Sequence, residues 1–253
     1  MKKSCVMFIS ALSLAVFAQS LYQTGFESNG EPFGNWKAGN TVTRGGATTM
    51  KAYSGKNSMS PGYGNGRYGA GKSFDFEQPL QAEKLWISYR QYVDKPVNYA
   101  AYLNVCGKGG RSDKVRIINS IVTGNSLRLG FPQRGYRTAP LSGKWHRHEY
   151  LLDFKKQTFN VYLDGKLIAA DIKFEHKARG SAEDITNINQ LTLGGNGSRT
   201  DATFYDDFYI GTERAPEKLG GRMEKVSGKV DTRVYMQIGS IRGGTGRTAT
   251  AET

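Results

Sequence analysis

The sequence predicts an all-β protein of the sandwich or barrel type, and three observations carry that prediction. Helical periodicity is nearly absent, while apolar and polar residues alternate over stretches of roughly five to nine residues. Those stretches are bounded by Gly, Asn, Asp or Lys, the residues that end strands and make turns. Glycine is abundant at 32 residues and proline scarce at 7, as many tight turns between short strands require.

Taken from the N-terminus, the chain opens with Lys2 and Lys3, an apolar run from Val6 to Phe17, and the small exits Ala18 and Ser20. That pattern predicts a secretory signal over residues 1–20, too short to span a bilayer comfortably, and a secreted, periplasmic or extracellular location for the rest. The remaining chain of about 230 residues can build one β-sandwich with its own core or two small domains. No later stretch reads as a membrane-spanning helix. Cys106 is the one cysteine after the signal, which excludes an internal disulfide and predicts a small buried apolar residue.

Residues 28–75 are polar and Gly/Ser-rich and read as long loops and edge strands. The clearest strands follow: 85–93, 99–105, 115–122, 126–131, 146–154, 158–163, 190–193 and 203–210. Asp164-Gly165 marks a hairpin, and Thr123-Gly124-Asn125 separates two further strands. Alternation places Leu85, Ile87, Tyr89 and Val93 on one face against Trp86, Ser88, Arg90 and Tyr92. By the same reading Ala101, Leu103 and Val105 oppose Tyr102 and Asn104. Val115, Ile117 and Ile121 oppose Arg116, Ile118 and Ser120, and Leu127, Leu129 and Phe131 oppose Arg128. From about Arg214 the chain is again basic and Gly/Thr-rich; it holds one candidate strand, Arg233–Ile241, and reads as disordered from Gly243.

The formal net charge is +13 with a pI near 9.7, and removal of Lys2 and Lys3 leaves +11. A field of that sign attracts acidic polysaccharides, cell-surface polymers or nucleic acid. Gly66 to Ser73 matches the phosphate-loop pattern G-x4-G-K-[ST], but neither the preceding strand nor the following helix is predicted, so no nucleotide is expected.

Several stretches carry a resemblance. Tyr22-Gln23-Thr24-Gly25-Phe26-Glu27-Ser28, with Trp36 and Tyr53-Ser54-Gly55-Lys56-Asn57-Ser58, resembles the opening of exported concanavalin A-like jelly rolls. Gly143-Lys144-Trp145-His146 through Asp153, then Val161-Tyr162-Leu163-Asp164-Gly165-Lys166-Leu167, resembles their central strands and hairpin. Tyr205-Asp206-Asp207-Phe208-Tyr209-Ile210-Gly211 is similar to their closing strand. The resemblance covers about residues 22–215 and implies a two-sheet antiparallel jelly-roll sandwich at 21–213 with a basic extension at 214–253. The superfamily includes laminin-G-like modules, lectins, glycoside hydrolases and polysaccharide lyases, so it names no reaction.

Binding needs rings for sugars to stack on and donors for hydroxyls and carboxylates. Trp86, Arg90, Tyr92, Tyr102, Asn104, Arg116 and Arg128 supply both and are the candidate ligand-binding residues, expected on one polar sheet face. The competing structural role is that Trp86 and Tyr92 lie under the N-terminal segment or the basic tail. A hydrolase is disfavoured: Glu149 and Asp153 share a face but stand about 13 Å apart, too far for a catalytic carboxylate pair. Asp206 and Asp207 point to opposite faces and read as hydrogen-bonding groups or a single calcium ligand. A lyase would need a cation for the uronate and a Tyr or His base, with His146 and His148 one strand away, but its short strand motifs are absent. His148 reads as a core histidine and His176 as solvent-facing. Three histidines and one cysteine give no zinc spacing, while a structural calcium fits the fold. The expected function is therefore recognition of a polysaccharide, acidic in character. Lyase action on a uronate glycan and a non-catalytic surface or matrix role are the alternatives. Oligomeric state is open.

Overall fold

The computed structural model describes residues 20–27, 36–38, 44–63, 70–95, 101–110, 112–195, 203–217 and 219. Fifteen strands and one four-residue helix make up the chain's regular structure there. In the first half these are β1 (Ser20–Thr24), β2 (Trp36–Ala38), β3 (Arg44–Thr48), β4 (Ser58–Tyr63), β5 (Ala70–Leu80), β6 (Lys84–Val93) and β7 (Ala101–Gly109). Then come β8 (Ser112–Thr123), β9 (Ser126–Leu129), β10 (Arg134–Arg137), β11 (Trp145–Asp153), β12 (Thr158–Leu163) and β13 (Lys166–Lys173). Helix α1 (Glu175–Ala178), β14 (Ile188–Gly195) and β15 (Thr203–Gly211) complete the series.

These strands form two antiparallel sheets. The first runs β13-β12-β11-β6-β15-β4-β3, with β1 also on β15; the second runs β10-β9-β8-β7-β14-β5-β2. Chain neighbours β6 and β7 lie in different sheets, and so do β14 and β15, which is how a jelly roll crosses between its layers. Residues 28–75, read as loops and edges, supply two interior strands as well. β4 lies between β15 and β3, and β5 between β14 and β2. Lys72 and Ser73 are in β5, so no helix opens at the phosphate-loop lysine. The predicted signal up to residue 19, the strand at Arg233–Ile241 and the tail beyond Gly243 lie outside the described residues.

The inner faces share one apolar core. Leu85, Ile87 and Tyr89 of β6 meet Leu103, Val105 and Ile118 of the other sheet, all buried. Tyr22, Phe74 and Phe208 pack ring to ring at 5.1 and 5.8 Å. The core tyrosines pair their hydroxyls across the layers, as burial demands. Tyr150 donates to Ser120 Oγ at 2.8 Å, and Tyr205 donates to the Gly194 carbonyl. His148 stacks on Tyr89 at 5.3 Å, and burial, then His146, pushes its pKa down to about 3, so it is a neutral core residue as expected.

Turn chemistry follows the sequence closely. Asp164 and Gly165 take φ of 49° and 81° and join β12 to β13 in a two-residue hairpin. Two bulges correct the alternation. In β8 the pairing shifts between Val105↔Ile118 and Cys106↔Arg116, so Arg116 shares the outer face with Asn119 and Ile121, while Ile118, Ser120 and Val122 face the core. Ile121, Ile118 and Ser120 were expected the other way round. In β15 the register slips after Asp206, with Asp207 at φ 46°. Both carboxylates then reach Ser54 instead of opposite faces. Asp206 Oδ2 accepts the Ser54 amide at 3.1 Å and Asp207 Oδ1 the Ser54 hydroxyl at 2.7 Å.

Candidate functional site

The seven candidate residues do not share a face. Trp86, Arg90 and Tyr92 are on β6 of the first sheet; Tyr102, Asn104, Arg116 and Arg128 are on β7, β8 and β9 of the second, on the opposite outside of the sandwich. Sequence alternation sorts residues into two faces of a strand but does not say which sheet a strand joins.

The outer face of the first sheet is covered by the chain itself. After β15 the backbone turns back across β6 and β11. Arg147 donates to the Ala215 carbonyl at 2.5 Å and Arg90 to the Glu217 carbonyl at 3.0 Å. Arg214 makes a forked pair with Glu149, at 2.9 and 2.6 Å, and its guanidinium lies 5.5 Å from the Trp86 ring and 5.2 Å from that of Tyr162. Glu149 is fully buried beneath it and also pairs with Arg147 at 2.8 Å. The loop after β3 covers the other end: Lys51 caps the Tyr92 ring at 3.7 Å, and Tyr53 packs on Trp145 and under Arg90. Trp86 therefore lies against Arg214 at the start of the basic extension, as the structural alternative had it, whereas Tyr92 is capped from the loop after β3, and packing on this face runs on to Glu217.

The second sheet presents three cross-strand rows on its outer face. Strand neighbours stand about 4.8 Å apart and successive rows about 7 Å. The first row is Gly194, Tyr102, Ile121, Arg128 and Gly135, from β14 to β10. The second is Ser73, Thr192, Asn104 and Asn119, and the third Asp75, Gln190, Cys106 and Arg116. The Tyr102 ring lies over Gly194: a Cβ there would meet the ring at 2.0 Å. A glycine is what lets an aromatic platform lie along this sheet. Burial raises the Tyr102 pKa, so the phenol is neutral. Asn104 Oδ1 is buried without a hydrogen-bond partner among the described residues, while Ser73 and Thr192 join hydroxyls at 2.8 Å beside it.

The third row is more occupied. Asp75 accepts from Gln190 and from Lys114, the latter at 3.1 Å, and Arg116 pairs with Glu175 of α1 at 3.4 Å, where Arg179 also binds at 2.7 Å. Cys106 is half-buried on this outer face and not in the core as expected; burial raises its thiol pKa. Asn119, Thr192, Gln190 and Gly194 were missed by sequence reading. Asn119 was hidden by the β8 bulge, and the β14 residues by a strand order that brings them beside β7 from ninety residues away.

No histidine stands in these rows. His146 and His148 face inward, His146 Nδ1 lying 2.7 Å from Asp164, so neither histidine that a lyase reading would use is on the face. His176 is half-buried with its Nε2 enclosed, not solvent-facing. Among the described residues no three His, Cys, Asp or Glu side chains are grouped to hold a metal. Asp206, Asp207 and Glu27 come nearest in kind. However, Asp206 accepts the Tyr53 and Ser54 amides and Glu27 those of Lys56 and Asn57, an arrangement of N–H donors that does not fit a calcium ion. Burial and Asp207 together raise the Asp206 carboxyl to about 7 against the pull of those amides.

Comparison with solved structures finds the same architecture elsewhere. Cip1, a cellulose-induced protein, superposes with a TM-score of 0.56 at 15% identity, over 78% of this chain and 100% of that one. The fold is a two-sheet antiparallel jelly-roll sandwich. A carbohydrate esterase of the Shiga toxin-encoding bacteriophage phi24B gives 0.50 at 10% identity, again over 78% and 100%. The xylan-binding CBM22-1 domain of Paenibacillus barcinonensis Xyn10C covers 79% of this chain and 97% of its own at 17% identity, with a TM-score of 0.45. No family model and no curated protein matches the sequence. Among the described residues no helix is long and apolar enough to cross a membrane.

Proposed function

We propose that this chain is an exported carbohydrate-binding jelly roll whose ligand is an acidic polysaccharide lying on the outer face of the second sheet. One observation carries the reading: the Tyr102 ring laid over Gly194, with the Asn104 and Asn119 amides in the adjoining row and Arg128 in its own. A flat ring receives the apolar face of a sugar, amides and hydroxyls address its hydroxyl groups, and guanidinium groups address carboxylates. Two structural neighbours, a cellulose-induced protein and a carbohydrate esterase, support a glycan role for this architecture. Export rests on the basic start and apolar run of residues 1–20, and the acidic character of the ligand on the net charge of +13.

Affinity electrophoresis through alginate, pectate, xylan and cellulose gels tests the assignment. Retardation by at least one acidic glycan, abolished in Tyr102→Leu, is the expected result. Retardation untouched by Tyr102→Leu but lost in Trp86→Ala would move the site to the first sheet and overturn the reading.

A further inference from the structure

Strand β14 ends in two successive glycines, and the molecule closes on both sides of them. On the outer face the Tyr102 ring covers Gly194 and leaves no room for a Cβ. On the inner face a Cβ at Gly195 would meet Pro61 of β4 at 3.0 Å and Thr203 of β15 at 3.1 Å. Glycine weakens a strand, because its backbone keeps freedom that a side chain would remove. The platform therefore stands on a stretch that its own residues do little to fix, and whatever fixes that stretch decides where the ring sits.

The first sheet supplies that constraint. Tyr205 of β15 is fully buried and sends its phenol through the core to the second sheet. Its hydroxyl donates to the Gly194 carbonyl, with the Tyr102 carbonyl as a second acceptor at 3.3 Å. These two carbonyls belong to directly paired residues of β14 and β7. One hydroxyl thus spans the strand pair that carries the platform, from the side opposite the ring. The phenol is itself firmly seated: its ring meets that of Tyr89 edge-on at 5.6 Å, and its backbone is paired with Gln91 of β6 and Met59 of β4. Burial raises its pKa, so it stays a neutral donor. Tyr150, another core phenol, is different. It donates to Ser120 Oγ at 2.8 Å and lies 3.2 Å from the Tyr89 hydroxyl, so it holds side chains and not the platform backbone.

Resting on the reading of the second sheet as a glycan site, we propose that Tyr205 is the positioning residue of that site. It touches no ligand. By holding the Gly194 and Tyr102 carbonyls from beneath, it fixes the two strands at the platform and so the height at which the ring meets a sugar. The platform is then formed before the glycan arrives, and less ordering is left to the moment of binding. The first sheet contributes to recognition in this way without presenting a side chain to the glycan. Removing the hydroxyl would leave buried carbonyls short of a donor and loosen the backbone under the ring.

The test compares Tyr205→Phe with Tyr150→Phe in the full chain; each keeps its ring in the core and removes one buried hydroxyl. The NMR shift of the Gly194 α-protons, displaced by the ring current of Tyr102, reports the seating of the ring without any ligand, and Tyr102→Leu gives its value with the ring absent. Affinity electrophoresis in alginate and pectate reports binding. Both phenylalanine variants should lower the thermal midpoint. Only Tyr205→Phe should move the Gly194 shift towards its Tyr102→Leu value and weaken glycan affinity, by about tenfold. Wild-type affinity in Tyr205→Phe, with or without a moved shift, would overturn the proposal and leave the sheet-face site standing. Equal loss of affinity in Tyr150→Phe would reduce the effect to core stability and overturn it as well. Failure of the wild type to bind either glycan, with the Gly194 shift still moved by Tyr205→Phe, would overturn the glycan reading but not the link between Tyr205 and the ring. That link also predicts, in the wild type alone, a Tyr205 hydroxyl proton slow to exchange with water; fast exchange would overturn it even if Tyr205→Phe did not fold.

Discussion

Trp86, Arg90 and Tyr92 lie beneath two pieces of their own chain, whereas Tyr102, Asn104 and Asn119 receive no such strap from the described residues. Both outer faces hold aromatic rings and arginines. On the first sheet each cation is already engaged: Arg90 by the Glu217 carbonyl, Arg147 by Glu149 and Ala215, Arg214 by Glu149. On the second sheet the ring rests on a glycine and an amide oxygen stays unpartnered. Residue type alone therefore does not distinguish an open face from a strapped one; whether the backbone crosses it does.

Breaking the seal is expected to have the largest effect, and on stability. Glu149→Ala leaves Arg147 and Arg214 facing each other without their shared carboxylate and should cost about 3–5 kcal/mol, read by urea denaturation. A smaller but still measurable change comes from the buried histidine. Its folded pKa, near 3, lies below the ordinary value of 6.5, so the unfolded chain binds a proton that the folded one refuses between those limits. Stability should fall as pH drops from 6.5 towards 3, by about 1.4 kcal/mol per pH unit from this group, and His148→Phe should flatten that slope in a pH series of thermal midpoints. Asp206 acts with the opposite sign. Its carboxyl is raised to about 7, so its contribution is complete below about pH 4 and is lost as pH rises through 7; Asp206→Asn should remove that loss.

Two further changes bear on binding. Gly194→Ala would place a methyl group against the Tyr102 ring and should lift the platform, costing about 1–3 kcal/mol of stability and most of the glycan affinity. Trp86→Ala should cost about 1–2 kcal/mol by loss of packing against Arg214 and Tyr162, with glycan affinity unchanged, as shown by calorimetry and affinity electrophoresis on the same preparation.

Much of the fold was legible in the sequence because period-two alternation and turn residues are local signals. The Asp164-Gly165 hairpin and the strand at β6 follow directly from them. The candidate site was only half legible. Alternation correctly turned Trp86, Arg90 and Tyr92 out of the core, as it did Tyr102 and Asn104, but the sheet to which each strand belongs is a long-range property. The β8 bulge carries no mark in its letters, so Ile121 and Asn119 could not be placed. Nor does residue type reveal that the backbone after β15 folds back over β6.

The central claim, that the glycan lies on the second sheet and not the first, is tested most directly by a nitrogen-15 NMR titration of the chain with an acidic oligosaccharide. The side-chain amides of Asn104 and Asn119 and the backbone of Tyr102 are expected to shift with saturation while the Trp86 and Trp145 indole resonances stay in place. Movement of the two indoles with silent asparagines would contradict the account.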